Sequence, residues 1–554
     1  MNYLNIILFI AVLLISTEAL LYTDKSRKAK KLRPAEISDR LELSLLAAAL
    51  FIGLAMRLWQ FGSVPEGFNQ DGAMAAVDAN ALAMYGTDRF GTHLPAHLYA
   101  WGFGQMSSLL SYLMVPFIKL MGLNPVSARL PQLLVSIMGA VFFWLFTRDS
   151  FGKRAGIIAA FFVAVNPWHF VQSRWALDCN LLPHFFVAGV CLLNRGSRGN
   201  KAALYTSMLF FGLCMYCYGI TIYTLPVFLV LACVLLLRKK LIRPLDAVIC
   251  AGAYLAVSWA FILTMAINFF GWETIELPFV TLQNFPDSVR SGDILLFSDK
   301  PFRQLVENFS SLLNVSVLQK RDLPWNEVRS FGTMYLFSTP FALCGIASVI
   351  RRRKDTGTQL LLLMLLTGVW AGLMTNNVNI NRANLIYYPV MLLIVLGIDY
   401  VVGKFRFMMI PTGCVYALCA VLLCGSYFGS YRQSLSSAFF SGFGDALTAA
   451  EETGAEIIYI TADTQYNGSR NVSEILTLFY DRTDAEYYQG KTMINHGSIE
   501  LPYEERFVYL SFDETNIPDE KNAVCVICRK DKPLFDGEYE LYDYGHYALA
   551  VKEE

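Results

Sequence analysis

Residues 127–182 read SARLPQLLVSIMGAVFFWLFTRDSFGKRAGIIAAFFVAVNPWHFVQSRWALDCNLL, and this stretch decides the fold class. It holds two apolar runs, 129–147 and 155–172, separated by a turn that carries Arg148, Lys153 and Arg154. A helix needs about 20 apolar residues to cross a bilayer, fewer when it packs inside a bundle. The second run ends in Gln172, Arg174, Asp178 and Asn180, and a third run, 181–194, starts at once. Basic turns between spans belong on the cytoplasmic side, so the polar stretch 173–180 falls on the opposite side. Such alternation is that of a polytopic membrane protein.

Working outward, further spans are predicted near 3–22, 42–61, 203–219, 222–237, 245–264, 332–350, 358–374, 385–402 and 407–427, which makes about twelve. Of the 554 residues, 55% are hydrophobic and only 16% are charged, where a soluble domain carries about 25%. Mean hydropathy is +0.42. The first run has no positive residue before it and no small-residue cleavage site after it, so it reads as a retained span rather than a signal peptide. Basic clusters recur at 25–33, at Arg195, Arg198 and Lys201, at Arg238 to Lys240 with Arg243, at Arg351 to Lys354, and at Lys404 with Arg406. All of them share one side only if the apolar run 106–121 does not span. That run, with Tyr112, Pro116 and Lys119, is therefore expected to lie in the interface. Segments 62–128, 173–180, 265–331 and 375–384 then fall outside, together with the soluble-looking residues 430–554. The Asn-x-Ser sequons at Asn308, Asn314, Asn467 and Asn471 lie in these regions and add weak support.

Lys plus Arg and Asp plus Glu both number 45, which excludes nucleic-acid binding by bulk charge. Most of the 12 cysteines sit in apolar runs and read as core residues. Cys525 and Cys528 form a CxxC inside NAVCVICRK, a strand-like stretch with no second pair to complete a zinc site.

Transporters keep ionisable groups near the bilayer midplane. Here the middles of the spans are nearly free of charge, and the polar residues gather at helix ends and in the external loops. The first loop opens with NQDGAMAAVDANAL, where Asn69, Gln70 and Asp71 precede an amphipathic helix over 72–85. Asp71 is either a helix cap or a functional carboxylate. His93, His97, Trp101 and Gln105 follow, and histidines near aromatics can be structural or can line a pocket. In the second loop Arg174 and Asp178 stand four apart, a spacing that pairs them on a helix face. In TNNVNINRANLIYYP, Arg382 is the single charge among asparagines where a span begins. Its planar fork suits phosphate oxygens, and lipid-headgroup contact is the alternative. The loop 265–331 is long and polar with little obvious structure, and its length alone suggests a lid or binding segment.

From about residue 42 to 400 the chain resembles the GT-C membrane glycosyltransferases, in the protein-mannosyltransferase and aminoarabinose-transferase-like group of glycosyltransferase family 39. NQDGAMAAVDANAL, HLYAWGF, the 127–182 block and NRANLIYYPVMLL carry the resemblance. It implies a helix bundle with interface helices in the first external loop. It implies an enzyme that passes a sugar from a polyprenyl-phosphate donor to a glycan, lipid or protein acceptor on the outer face of the plasma membrane. In that scheme Asp71 is the catalytic carboxylate. Asn69, Gln70, His97, Gln172, Arg174, Asp178, Asn180 and Arg382 bind substrate, with Arg174 or Arg382 on the phosphate. The group commonly has a second acidic residue after the first. Gly72 stands there in this chain, which weakens any two-carboxylate or metal scheme. No cofactor and no metal ligand is assigned, and a divalent cation stays open.

Residues 430–554 are expected to form a small extracytoplasmic α/β domain beside the 1–429 transmembrane domain. Strands are expected in AEIIYITAD, RFVYLSFDE and NAVCVICRKD, helices in DALTAAEET and VSEILTLFYDR, and a hairpin in YELYDYGHYALAVKE. Its expected task is acceptor binding or partner docking. Two other classes compete with the enzyme: a flippase for lipid-linked saccharide, and a non-catalytic scaffold.

Overall fold

A computed structural model of the chain describes residues 2–22, 37–101, 104–286, 294–464, 469–491, 493–495, 498–500, 505–520, 522–535 and 537–552. The basic cluster 25–33 and most of the Asn467 sequon region lie outside them. Helices α1 (Asn2–Leu21) and α2 (Asp39–Leu58) lead into a first loop layer. That layer holds α3 (Gln70–Tyr85), the hairpin β1 (Leu98–Ala100) and β2 (Gly104–Met106), and α4 (Leu109–Met121). The bundle continues with α5 (Pro125–Phe151), α6 (Lys153–Val165), α7 (Pro167–Gln172), α8 (Leu182–Gly196), α9 (Lys201–Cys214), α10 (Thr221–Arg238) and α11 (Pro244–Phe270). The hairpin β3 (Ile275–Leu277) and β4 (Val280–Leu282) and helix α12 (Pro301–Ser316) come next. Helices α13 (Phe341–Arg351), α14 (Thr356–Met374), α15 (Tyr387–Lys404) and α16 (Met409–Ser426) complete it.

Among the described residues, eight helices are long and apolar enough to cross a membrane, which makes this a multi-pass membrane protein. The other predicted spans fall on α6, α8, α9 and α13, which have 11 to 15 residues. Run 332–350 is an α-helix only from Phe341. Run 155–172 is broken in two. Pro167 has no N–H to continue α6, and the Asn166 side chain accepts from His169 N at 3.0 Å to start α7. Helix α8 tolerates its short length because nearly all of it is buried in protein. Helix α4, with 13 residues and Pro116 inside, is too short for a lone crossing.

Ion pairs gather the basic turns at one end of the bundle. Lys153 pairs with Asp39 at 2.5 Å, Arg154 with Asp399 at 2.6 Å and Arg195 with Asp149 at 2.7 Å. Arg148 pairs with Glu42 and Lys201 with Asp246, and Lys239 Nζ reaches Lys354 O at 2.6 Å. The loop layer sits at the opposite end.

The described residues of 265–331 carry more regular structure than their polarity suggests. Helix α12 places Phe302, Val306, Phe309 and Leu313 on one exposed face, a 3.6-residue period within a polar composition. The Asn308 sequon faces inward: its Nδ2 donates to Leu373 O at 2.9 Å and to Asn376 Oδ1 at 3.2 Å, so it cannot carry a glycan in this fold.

The helix begun by α16 runs past a kink at Gly429 into α17 (Arg432–Ser436). Beyond it lie α18 (Phe443–Glu452), β5 (Ile457–Thr461), α19 (Arg470–Asp481), α20 (Ala485–Tyr488), β6 (Met493–Asn495), β7 (Ser498–Glu500), β8 (Phe507–Leu510), β9 (Ala523–Cys528), β10 (Tyr539–Asp543) and β11 (Tyr547–Lys552). Five of the strands form a mixed sheet in the order β10-β11-β9-β5-β8, with β5 parallel to both neighbours. Side chains three apart on a strand point to opposite faces. Cys525 accordingly packs with Phe512 and Phe535, while Cys528 packs on the other face, so the CxxC forms no bridge.

Candidate active site

The loop from α2 to α3 has few hydrogen bonds of its own, and two buried arginines supply donors to it. Arg174 is fully buried and donates to the carbonyls of Met56 (3.3 Å), Arg57, Trp59 (2.9 Å), Gln60 (3.1 Å) and Val64 (3.0 Å). The rings of Phe428, Tyr427 and Phe170 surround its guanidinium at 5.0, 5.3 and 5.7 Å. Arg129, also fully buried, donates to Gly62 O (3.1 Å), Pro65 O (3.0 Å) and Gly67 O (2.7 Å). A helix C-terminus leaves its last carbonyls without partners, and a guanidinium has five N–H donors to give them. This corrects the sequence expectation for Arg174. Helix α7 ends at Gln172, so the four-residue spacing to Asp178 is not helical, and the guanidinium holds backbone instead of facing a phosphate.

The same loop aims Asp71. Asn69 is the cap of α3: its Oδ1 accepts from Asp71 N at 3.0 Å. Asp71 is therefore not the cap, and its carboxylate stands in the first turn of α3.

Asp71, Asp178 and Arg382 are each half-buried in surroundings that are mostly buried, and the charges of all three act on Cys179. The Cys179 thiol is pushed well above its ordinary range by burial first, then by the charges of Asp178 and Asp71, with Arg382 opposing them. Asp178 Oδ1 accepts from Cys179 N at 2.6 Å. Arg382 Nη1 donates to Asn376 O at 2.6 Å, and its N–H donates to Asn379 Oδ1 at 2.9 Å. Asn384 Nδ2 donates to Cys179 O at 2.5 Å, which ties the 375–384 stretch to the second loop.

Buried Gln172 approaches Asn381 Oδ1 at 3.5 Å from the same side. Asn180 is buried beneath them and accepts at its carbonyl from Gln132 Nε2 at 3.3 Å. Gln70 is half-buried beside Asp71. His97 does not join this group. Its ring packs 4.9 Å from Phe261, and burial pushes its imidazole down to about 4, so it is a neutral core residue at physiological pH.

Gly72 stands where the resemblance leads one to expect a second carboxylate. A Cβ there would lie 2.9 Å from Ala176 O and 3.1 Å from the Phe68 ring. The second loop therefore packs directly on α3, and no side chain fits between them. Gly72→Asp is expected to lower the melting temperature by overpacking, at a cost of about 1–3 kcal/mol, and to give no metal-dependent gain. Thermal melts and a divalent-cation titration of the variant check both points. Among the described residues no group of three or more His, Cys, Asp or Glu side chains could hold a metal ion.

Some residues of this region have no role that the sequence alone assigns, Asp322 of the 265–331 loop among them. Asp322 accepts from Ile380 N at 2.5 Å and from Asn326 Nδ2 at 3.0 Å, which pins the Arg382 stretch. Glu327 is buried, and its carboxyl is pushed up to about 8 by burial first and by Asp322 second. Midway along α3, fully buried Asp78 pairs with Arg89 of the loop that follows the helix. Asp88, also fully buried, is pushed up to about 7 by burial first and by the Asp78 charge second. A carboxyl raised on folding stabilises the fold most at acid pH, and this contribution is lost as pH rises through about 7. Asp88→Asn keeps the acceptor for Phe90 N and Thr92 N. It is expected to melt higher than wild type near pH 8.5 and to keep only part of that advantage at pH 5.5, because the loss runs from about pH 7 down to the ordinary carboxylate range near 4. An equal gain at both values would place the effect elsewhere.

Residues 107–267 match the family of dolichyl-phosphate-mannose-protein mannosyltransferases. The fold is similar to that of ArnT from Cupriavidus metallidurans bound to undecaprenyl phosphate. The TM-score is 0.51 at 11% identity, covering 92% of this chain and 97% of that one. The apo structure of the same protein gives a TM-score of 0.49 at 13% identity, over 92% of this chain and 97% of that one. The archaeal oligosaccharyltransferase AglB from Archaeoglobus fulgidus, in complex with an inhibitory peptide and a dolichol-phosphate, gives 0.45 at 14% identity over 78% of this chain. The chain spans 63% of that protein's length. No curated protein sequence matches the chain. The resemblance read from the sequence stands: residues 107–267 match the mannosyltransferase family model, and the fold is similar to that of ArnT.

Proposed function

From a GT-C glycosyltransferase fold with a mannosyltransferase-family segment, we propose that this chain moves a sugar from a polyprenyl-phosphate donor to an acceptor on the outer face of the plasma membrane. One observation carries the reading. Half-buried Asp71, Asp178 and Arg382 lie on three stretches that pack together at the end of the bundle opposite the basic turns: Cys179 N donates to Asp178 Oδ1, Cys179 O accepts from Asn384 Nδ2 beside the Arg382 stretch, and Ala176 O closes on Gly72 next to Asp71. The basic end is the cytoplasmic one under the positive-inside rule.

In this scheme Asp71 takes the proton of the acceptor hydroxyl or amine as it attacks the anomeric carbon. The bond from that carbon to the phosphate oxygen breaks, and polyprenyl phosphate leaves with the electron pair. Arg382 stabilises the charge that grows on the phosphate. Asp178, held by Cys179 N, faces the donor sugar from the second loop. A base opposite the leaving group inverts the anomeric centre. The acceptor is a glycan, lipid or protein. Undecaprenyl phosphate in the ArnT structure and dolichol-phosphate in the AglB structure fit a polyprenyl-phosphate donor.

A buried chain from Arg57 through His169 and Tyr388 to His184 is formed by helix ends on the site side (2.8, 3.1 and 2.9 Å). The test is transfer of radiolabelled sugar from polyprenyl-phosphate donors to membrane extracts, with the product anomer read by NMR. Inverted product supports the scheme. Retained configuration rules out a single displacement, and no transfer from any donor by folded protein rules out the enzyme.

A further inference from the structure

The C-terminal domain grips both ends of the helix that carries Asp71. Ahead of α3, Phe68 N donates to Phe439 O at 2.7 Å. The Phe68 ring stacks on Phe479 of α19, with centroids 4.4 Å apart and planes 12° apart, and both rings are fully buried. Gly67 has φ +75°, and a Cβ there would lie 2.0 Å from Phe439 O, so backbone meets backbone. Beyond α3, Tyr85 donates its hydroxyl to Asp484 Oδ1 at 2.6 Å. Gln489 Nε2 donates to Thr87 Oγ1 at 2.5 Å and to Asp88 O at 3.1 Å. Helix α19 itself packs along α3.

A module that only displayed an acceptor site would not need its aromatic core shared with this loop. We propose that the C-terminal domain is a brace for the transfer site, with Phe479 a positioning residue that fixes where the Asp71 carboxylate points. The inference rests on the reading of Asp71 above. Phe68 lies three residues before Asp71, and the intervening Asn69 caps the helix, so a shift of the stack passes directly to the carboxylate. A displacement of about 1 Å at a reacting group costs on the order of 100-fold in rate.

The test uses the full chain, with Phe479→Ala, Phe479→Tyr and Phe535→Ala. Phe535 is equally buried but packs on the other face of the sheet, so its variant loosens the domain without touching the stack. Phe479→Ala is expected to lower kcat about 10- to 100-fold while the donor KM stays within about 2-fold, and to speed amide exchange over 61–72. Phe479→Tyr keeps the ring and restores most of the rate, and Phe535→Ala leaves both readouts near wild type. Equal losses in Phe479→Ala and Phe535→Ala, or wild-type kcat and exchange in Phe479→Ala, overturn the brace. If Phe479→Ala does not fold, the exposed contacts decide: Asp484→Ala with Gln489→Ala is expected to act in the same direction, and no change overturns the proposal. Should wild type transfer no sugar, exchange alone still decides the brace, and the failure belongs to the reading of Asp71.

Discussion

Asp71→Asn is expected to lower sugar transfer by about 100- to 10,000-fold, the share a general base contributes. The substitution keeps the shape of the side chain. It leaves the Asn69 cap in place, because that cap uses the Asp71 backbone N–H rather than its carboxylate. The fold and the melting temperature should therefore survive. The donor KM should hardly move, since the carboxylate serves the acceptor. Rates at saturating donor, beside a melting curve, separate loss of chemistry from loss of fold. Transfer within about 3-fold of wild type would move the base elsewhere, first to Asp178 of the second loop, which packs on α3 through Ala176 at Gly72. Replacing Asp178 alone should act mainly on the donor KM if its part is to hold the sugar.

The spans were legible because apolar runs and basic turns are local signals. Lipid solvation demands twenty or so apolar residues wherever a helix meets it, and the chain cannot hide that. The strands β5, β8 and β9 and the final hairpin were legible for the same local reason. Asp71, Asp178 and Arg382 could be nominated because each is a charge in an external loop between predicted spans, at a position where the GT-C resemblance implies a site residue. What the sequence could not show was distance. Nothing in ALDC says that Ala176 closes on Gly72, or that this approach excludes a second carboxylate. The i, i+4 spacing of Arg174 and Asp178 misled because it assumed a helix that stops at Gln172. The true partners of Arg174 are carbonyls of residues 56–64, more than a hundred positions away, and any side chain there would present the same carbonyls. His97 misled in the opposite way: histidine next to aromatics reads the same in a core as in a pocket. Helix α12 was missed because polar composition hid a clear 3.6-residue period.

Arg174 and Arg382 should separate cleanly in the laboratory, although the sequence offered both for the phosphate. Arg174→Ala removes donors from five backbone carbonyls in a site that water does not reach. Each buried carbonyl left unpaired costs about 1–3 kcal/mol, against a total stability of about 5–15 kcal/mol for a typical fold. The variant is expected to express poorly and to melt far lower, and Arg174→Lys should rescue little, because one ammonium cannot reach five acceptors. Arg382→Ala should do the reverse. Its side chain is half-buried, so the melting temperature should stay near wild type. Transfer should fall about 100- to 1,000-fold, the loss seen when one charge-stabilising donor is removed. Arg382→Lys should recover part of that rate, since a point charge still serves a phosphate but the bidentate fork is gone. Melting curves and donor kinetics on the same four variants decide the matter. A well-folded Arg174→Ala with a raised donor KM would return Arg174 to the phosphate. An Arg382→Ala that transfers like wild type would leave the leaving group without its cation and would sink the assignment of this end of the bundle.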